Sequence, residues 1–135
     1  MLMNWEYISG FFDADGSISI SKPTSNKNKT IQISFHNNER NILESIQSFI
    51  LENLNVKGHI SLKKAKHENH KDSYDLKYVY LNGLKVANKL LSIHPRKKRK
   101  IELYNLIQEK TKRNGKYSEQ EIGERRTLEE QFSQI

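Results

Sequence analysis

Ile8-Ser9-Gly10-Phe11-Phe12-Asp13-Ala14-Asp15-Gly16-Ser17-Ile18-Ser19-Ile20-Ser21 changes its period midway, and that change decides the fold. Over residues 4–12 apolar and aromatic side chains recur at helical spacing, and Asn4 can cap such a helix by accepting a backbone N–H. Gly16 breaks the pattern. Residues 17–21 then alternate strictly between polar and apolar, the period of a strand with one wet face. A helix running almost directly into a strand is expected, with Asp13 and Asp15 at the junction.

Working outward, residues 22–29 form a polar turn with Pro23 and Asn28, and residues 30–35 alternate again, completing a hairpin. Ile42, Leu43, Ile46, Phe49, Ile50 and Leu54 recur every three or four residues, so residues 39–54 read as an amphipathic helix covering one sheet face. The pattern repeats: strands over 59–64 and 74–81 flank a polar loop, 66–73, and a helix covers 84–91. The predicted order is αββαββα, an α+β domain with a curved antiparallel sheet. Further helices are expected over 97–112 and 118–132, separated at Gly115. The 135 residues suit a single domain, with a core over about 4–112 and a helical extension over about 118–132.

The formal charge is +7 with a pI near 9.5. From Ser118 onward, five glutamates against Arg125 and Arg126 give the tail −3, which leaves +10 on the remainder. A field of that sign draws in a polyanion, and nucleic acid is the commonest one inside cells. The absence of cysteine excludes thiol catalysis, cysteine-ligated zinc and a disulfide framework, and suits a reducing compartment. No stretch approaches the length of a bilayer span, and Met1 to Tyr7 lack a basic segment followed by a long apolar run. The expected setting is intracellular, cytoplasmic or organellar (mitochondrion or chloroplast), without membrane partners.

Residues 8–16 closely resemble the LAGLIDADG motif of homing endonucleases. Gly10, Asp13, Ala14, Asp15 and Gly16 are kept, while Ile8, Ser9, Phe11 and Phe12 replace motif residues by ones of similar character. The order of helices and hairpins is also similar to that family, so the resemblance covers roughly residues 4–108. One copy of the motif implies the homodimeric type. The small residues Ser9 and Gly10 let two helices approach closely, and a two-fold dimer would bring both copies of Asp15 to its axis. Ile8, Ser9, Gly10, Phe12 and Asp13 are the expected dimer-interface residues. At a helix C-terminus, carboxylate, free carbonyl oxygens and macrodipole all attract a cation, and Mg²⁺ suits such oxygen donors. The resemblance makes Asp15 the metal ligand, has the Ala14 carbonyl assist it, and gives Asp13 a structural place. Mn²⁺ or Ca²⁺ can occupy the same kind of site.

Arg96-Lys97-Lys98-Arg99-Lys100 is an unbroken run of five cations. The resemblance assigns a lysine here to the scissile phosphate or its attacking water, Lys97 first and Lys98 second, where an ammonium stabilises developing charge. Phosphate tracking or nuclear import would also use such a run. It further implies a polar residue near the start of the second helix that organises active-site water, Asn38 or Glu39, although Asn38 could equally cap that helix.

If the isoleucines of the first hairpin face the helices, Ser17, Ser19, Ser21, Thr30, Gln32, Ser34 and His36 share the opposite face. Ser61, Lys63, Asp75 and Lys77 project similarly from the second hairpin. A β-ribbon of this kind fits the major groove, where alternate strand residues can read base edges. His67 and His70 have ligand-like spacing but lie in a lysine-rich loop without further ligands, so backbone contact is the expected role. An EF-hand reading fails because its first and twelfth positions would be Phe11 and Lys22. The expected function is site-specific double-strand cleavage of DNA by phosphodiester hydrolysis with Mg²⁺ at a near-palindromic target. The alternative is a non-cleaving regulator or an RNA splicing factor (maturase) on the same scaffold.

Overall fold

The structure, a computed structural model, describes residues 3–21, 30–65, 71–109 and 119–134. The expected turn over 22–29, the histidine loop and Gly115 lie outside them. The chain forms two compact units, Met1–Ile93 and His94–Ile135.

In the first unit, α1 (Trp5–Asp15) begins as expected, with Asn4 Oδ1 accepting the Tyr7 N–H at 2.7 Å. It continues past Phe12 through both acids, and β1 (Gly16–Ser21) starts at the next residue. Gly16 makes this junction possible. Its backbone is extended, so its φ of −104° is open to any residue; space is what restricts it. A Cβ here would lie 2.2 Å from Phe12 Cδ2 and 2.7 Å from the Phe12 carbonyl oxygen.

The chain continues through β2 (Thr30–Asn37), α2 (Arg40–Leu54), β3 (His59–Lys63), β4 (Ser73–Val79) and α3 (Tyr80–Ala87). The four strands form one antiparallel sheet in the order β1-β2-β4-β3, so the hairpins stand side by side through β2 and β4. Ile18, Ile31, Ile33, Phe35, Leu76 and Tyr78 turn one sheet face toward Ile8 and Phe12 of α1, Leu43, Ile46 and Ile50 of α2, and Val86 of α3. Each fully buried side chain of this size contributes about 1.5–3 kcal/mol. Phe35 meets Phe12 edge-on at 5.7 Å and Tyr78 at 6.4 Å between centroids, which ties α1 across the two central strands. The Tyr78 hydroxyl is buried with no hydrogen-bond partner among the described residues, and burial holds its phenol above the usual tyrosine range.

Three elements depart from the periodicity. First, β4 ends at Val79, two residues early, because Tyr80 takes a left-handed backbone (φ 56°) and starts α3 at once. Second, α3 ends at Ala87 and does not reach Leu91. Lys89 and Leu90 donate to Val86 and Ala87 three residues back, closing the helix, and the Leu91 N–H turns to Ser9 Oγ at 2.7 Å. Tertiary partners thereby override a helical apolar spacing. Third, Glu39 is the N-cap of α2 and makes no side-chain capping bond, while Asn37 Oδ1 accepts the Glu39 N–H at 2.8 Å. Asn38 is therefore not the cap.

The second unit comprises α4 (Pro95–Glu109) and α5 (Glu119–Ser133), packed on each other. Pro95 takes the first helical position, where a missing N–H costs nothing, so α4 starts two residues before Lys97. Leu103, Tyr104, Ile107 and Phe132 are buried, and Lys100 Nζ lies 5.4 Å from the Phe132 ring centroid.

Gly58, just before β3, presses on the core: an added Cβ would lie 2.5 Å from Tyr78 Cζ and 2.8 Å from Leu76 Cδ1. Neither side chain has room to withdraw. Gly58→Ala should therefore destabilise the protein by about 1–3 kcal/mol, read as a lowered denaturant midpoint.

Candidate functional site

The two acids that end α1 have opposite surroundings. Asp13 is engaged through both oxygens: Oδ1 accepts the Ser92 hydroxyl and Oδ2 accepts the Ile93 N–H at 2.9 Å. With the Ser9–Leu91 bond, this fastens the segment after α3 along α1. Asp15 is exposed, and among the described residues no hydrogen bond or ion pair engages its carboxylate. Ala14 is exposed beside it.

Three of the expected interface residues have side chains packed within their own chain. Ile8 and Phe12 are fully buried in their own core, and Ser9 is 3 % exposed with its hydroxyl bonded to Leu91. None has a side chain free for a second chain. The open strip of α1 is carried by Gly10 and Ala14, one helical turn apart, and a Cβ at Gly10 would meet nothing within 4 Å.

The strand registers bring the sheet residues together as the alternation implied. Ser17 pairs with Ser34, Ser19 with Gln32, and Ser21 with Thr30 at the far end of the ladder. Across the centre Gln32 pairs with Val79, Ser34 with Lys77 and His36 with Asp75, and at the other edge Asp75 pairs with Ser61 and Ser73 with Lys63. One polar face results, with Ser19 and Lys63 exposed and Ser17, Gln32, His36, Ser61 and Lys77 half-buried.

Two residues of that face are buried. Ser34 is 2 % exposed and Asp75 9 %. Each instead serves a neighbour. Gln32 Nε2 donates to Ser34 Oγ at 3.2 Å, and Asp75 Oδ1 lies 2.5 Å from His36 Nδ1. The other ring nitrogen of His36, Nε2, lies 3.1 Å from Ser17 Oγ. An ionised carboxylate only accepts, so Nδ1 carries a hydrogen and donates to Asp75, and in the neutral ring Nε2 accepts the Ser17 hydroxyl. This relay crosses β1, β2 and β4 and begins two residues from Asp15. Alternation could place these three residues on one face, but only the strand register reveals that they touch.

Asn38 and Glu39 are exposed before α2, with no side-chain bond from Glu39 to that helix. Lys97 and Lys98 belong to α4 in the second unit; Lys98 is exposed, and its N–H donates to the His94 carbonyl at 2.9 Å. Among the described residues no three His, Asp or Glu side chains gather as a metal cluster. No helix is long and apolar enough to cross a membrane among them.

Residues 4–130 match the family model described as a LAGLIDADG-like domain. Among solved structures the chain is similar to an archaeal intron-encoded homing endonuclease, I-Vdi141I, complexed with DNA. Identity is 23% over 96% of this chain and 82% of that one, with a TM-score of 0.65. It is also similar to the LAGLIDADG meganuclease I-AabMI bound to uncleaved DNA (23% identity, TM-score 0.62, 94% of this chain and 44% of that one). A third is the LAGLIDADG homing endonuclease I-GzeII in complex with its DNA target (19% identity, TM-score 0.62, 97% and 43%). The chain thus spans less than half of the latter two. At these identities the likeness is one of fold: two helix-capped hairpins in a single α+β sheet. No match is found among curated proteins.

The relay fixes a tautomer that can be observed directly. Neutral His36 should carry its hydrogen on Nδ1 in nitrogen-15 NMR spectra, against the usual preference for Nε2. Asp75→Ala should move it to Nε2 and broaden the Ser17 hydroxyl environment.

Proposed function

The chain belongs to the LAGLIDADG-like domain family, and from that membership and the site's geometry we propose that it is a homodimeric, metal-dependent endonuclease that cuts both DNA strands at a near-palindromic site. The observation that carries the proposal is Asp15: an exposed carboxylate without a described partner, at a helix C-terminus that opens directly onto a polar sheet face. The DNA bound by the three similar proteins supports the same reading.

Asp15 fits a hard divalent cation such as Mg²⁺, because its donors are oxygens and the helix end adds its macrodipole. A single chain offers too few ligands. Asp15 of a second copy and phosphate oxygens would complete the shell, with the Ala14 carbonyl assisting. Bound Mg²⁺ supplies Lewis-acid polarisation of the phosphate and a more acidic water. Asp15 binds and orients. Asp13 keeps α1 seated on the segment behind it, so that the neighbouring acid stays at the surface. By the family resemblance, Lys97, with Lys98 beside it, meets negative charge that develops on the phosphate. Asn38 and Glu39 remain candidates for holding water, and His36, fixed by Asp75, joins them as a polar group of the same face.

The strip of α1 left open by its own core supports the dimer. Gly10 and Ala14 present almost bare backbone, so a second α1 can approach closely. Gly10→Leu should leave the unfolding midpoint nearly unchanged, since the added side chain meets nothing in its own chain, yet shift the mass in light scattering from dimer to monomer and abolish cleavage.

A randomised duplex library incubated with and without Mg²⁺, followed by sequencing of cut ends and of bound but uncut molecules, tests the activity. Mg²⁺-dependent ends at a near-palindromic site are the expected result. Selective binding without cuts would transfer the assignment to a regulator or splicing factor. On the recovered site Asp15→Asn should reduce cleavage to background, while Kd changes by less than about fivefold, the scale of one exposed charge. With 6 to 10 phosphates contacted, affinity should fall by about 10³ to 10⁵ between 50 and 200 mM salt.

A further inference from the structure

Among the described side chains of the polar sheet face, otherwise Ser, Gln, His, Asp and Lys, one is apolar. Val79 ends β4 on the same side as Asp75 and Lys77, in register with Gln32 of β2, and is 52 % exposed. Its backbone is held firmly. It is extended (φ −121°, ψ 155°), the left-handed Tyr80 follows, and α3 returns so tightly that a Cβ at Gly83 would lie 2.9 Å from the Tyr78 carbonyl oxygen. A methyl-bearing side chain is thus presented to the medium from a rigid strand end.

Its cross-strand neighbour is equally constrained. Gln32 Nε2 spends one hydrogen on Ser34 Oγ at 3.2 Å, which orients the amide and leaves one N–H and the carbonyl oxygen. One donor beside one acceptor matches adenine, which shows N7 as acceptor and N6 as donor in the major groove, whereas guanine shows two acceptors. Opposite adenine, thymine offers its C5-methyl group, the one apolar feature of the groove edge. Cross-strand neighbours stand about 4.5–5.5 Å apart at Cβ, close enough to touch the two bases of one pair.

We propose that Gln32 and Val79 together read one A·T pair in each half-site, Gln32 on the adenine edge and Val79 against the thymine methyl. The proposal rests on the DNA-binding reading above and adds the base that this part of the face selects. It separates A·T from G·C through the amide and A·T from its reversal through the methyl.

Deoxyuridine differs from thymidine only by that methyl, so it isolates the contact. Wild type, Val79→Ala, Val79→Thr and Gln32→Ala would each select sites from randomised duplexes, and Kd would then be measured on the wild-type site with each thymine in turn replaced by deoxyuridine. Wild type should weaken about fourfold at one thymine per half-site, the value of one buried methyl. Val79→Ala, whose shorter side chain withdraws from the base, should lose most of the sensitivity to the swap at that position while keeping its other preferences, and Gln32→Ala should lose selection for the paired adenine. Val79→Thr keeps the size, the strand preference and one methyl group, so it should fold and retain part of the methyl effect, which separates a lost contact in Val79→Ala from misfolding. Wild type without a methyl-sensitive position, or Val79→Ala with undiminished sensitivity at each one, overturns the proposal and leaves the endonuclease reading intact. A wild type that selects no sequence at all overturns both.

Discussion

The junction between α1 and the sheet hangs on the absence of one side chain. At Gly16 the helix becomes a strand without an intervening residue, and a Cβ there would run into the ring and carbonyl of Phe12. The restriction is one of space, since the dihedrals are those of ordinary extended chain. Because the junction is so short, the last helical residue and the first outward-facing strand residue are two positions apart. Asp15 is thereby placed beside the polar sheet face and not on a loop of its own. Phe12, which forbids the side chain, is also the core residue that meets Phe35, so the same ring seats the helix and fixes where the acid emerges.

A second constraint divides the acids. One turn of helix carries two carboxylates, and in a low-dielectric setting both would cost free energy unless engaged. Asp13 is engaged, by a hydroxyl and a backbone N–H from the segment that follows α3; Asp15 is left to solvent. That segment could have stayed helical by its apolar spacing. It leaves the helix because Ser9 and Asp13 offer its N–H groups partners that straight continuation would not use.

Period alone carried most of the architecture. The alternation at Ser17-Ile18-Ser19-Ile20-Ser21 and its echoes in β2 and β4 predict which residues share a face, and the registers agree pair for pair where both strands are described. What alternation cannot convey is depth. Ser34 and Asp75 alternate like their neighbours yet lie beneath them, because the centre of a sheet is shielded by the longer side chains on either side. Nor can the helical motif reveal which of its residues serve its own core. Ile8, Ser9 and Phe12 suit an interface by size and character, but the first demand on them is packing within the chain. The ends of elements were legible only where chemistry marks them, as Asn4 does, and illegible where a distant partner intervenes, as at Leu91 and Tyr80.

The depth of Ser34 and Asp75 bears on how such a surface could be retargeted. The exposed polar residues of this face are not independent of one another: Gln32 stands on Ser34, and His36 is held between Asp75 and Ser17. Replacing Gln32 or His36 alone would leave the buried Ser34 hydroxyl or Asp75 carboxylate without its donor, at a cost of about 1–3 kcal/mol that is independent of any bound base. The workable unit of respecification is therefore the reader together with its support, chosen jointly. Sequence space around this fold should accordingly be crossed in coupled steps of two or three residues, whereas the unsupported Ser19 and Lys63 can drift singly.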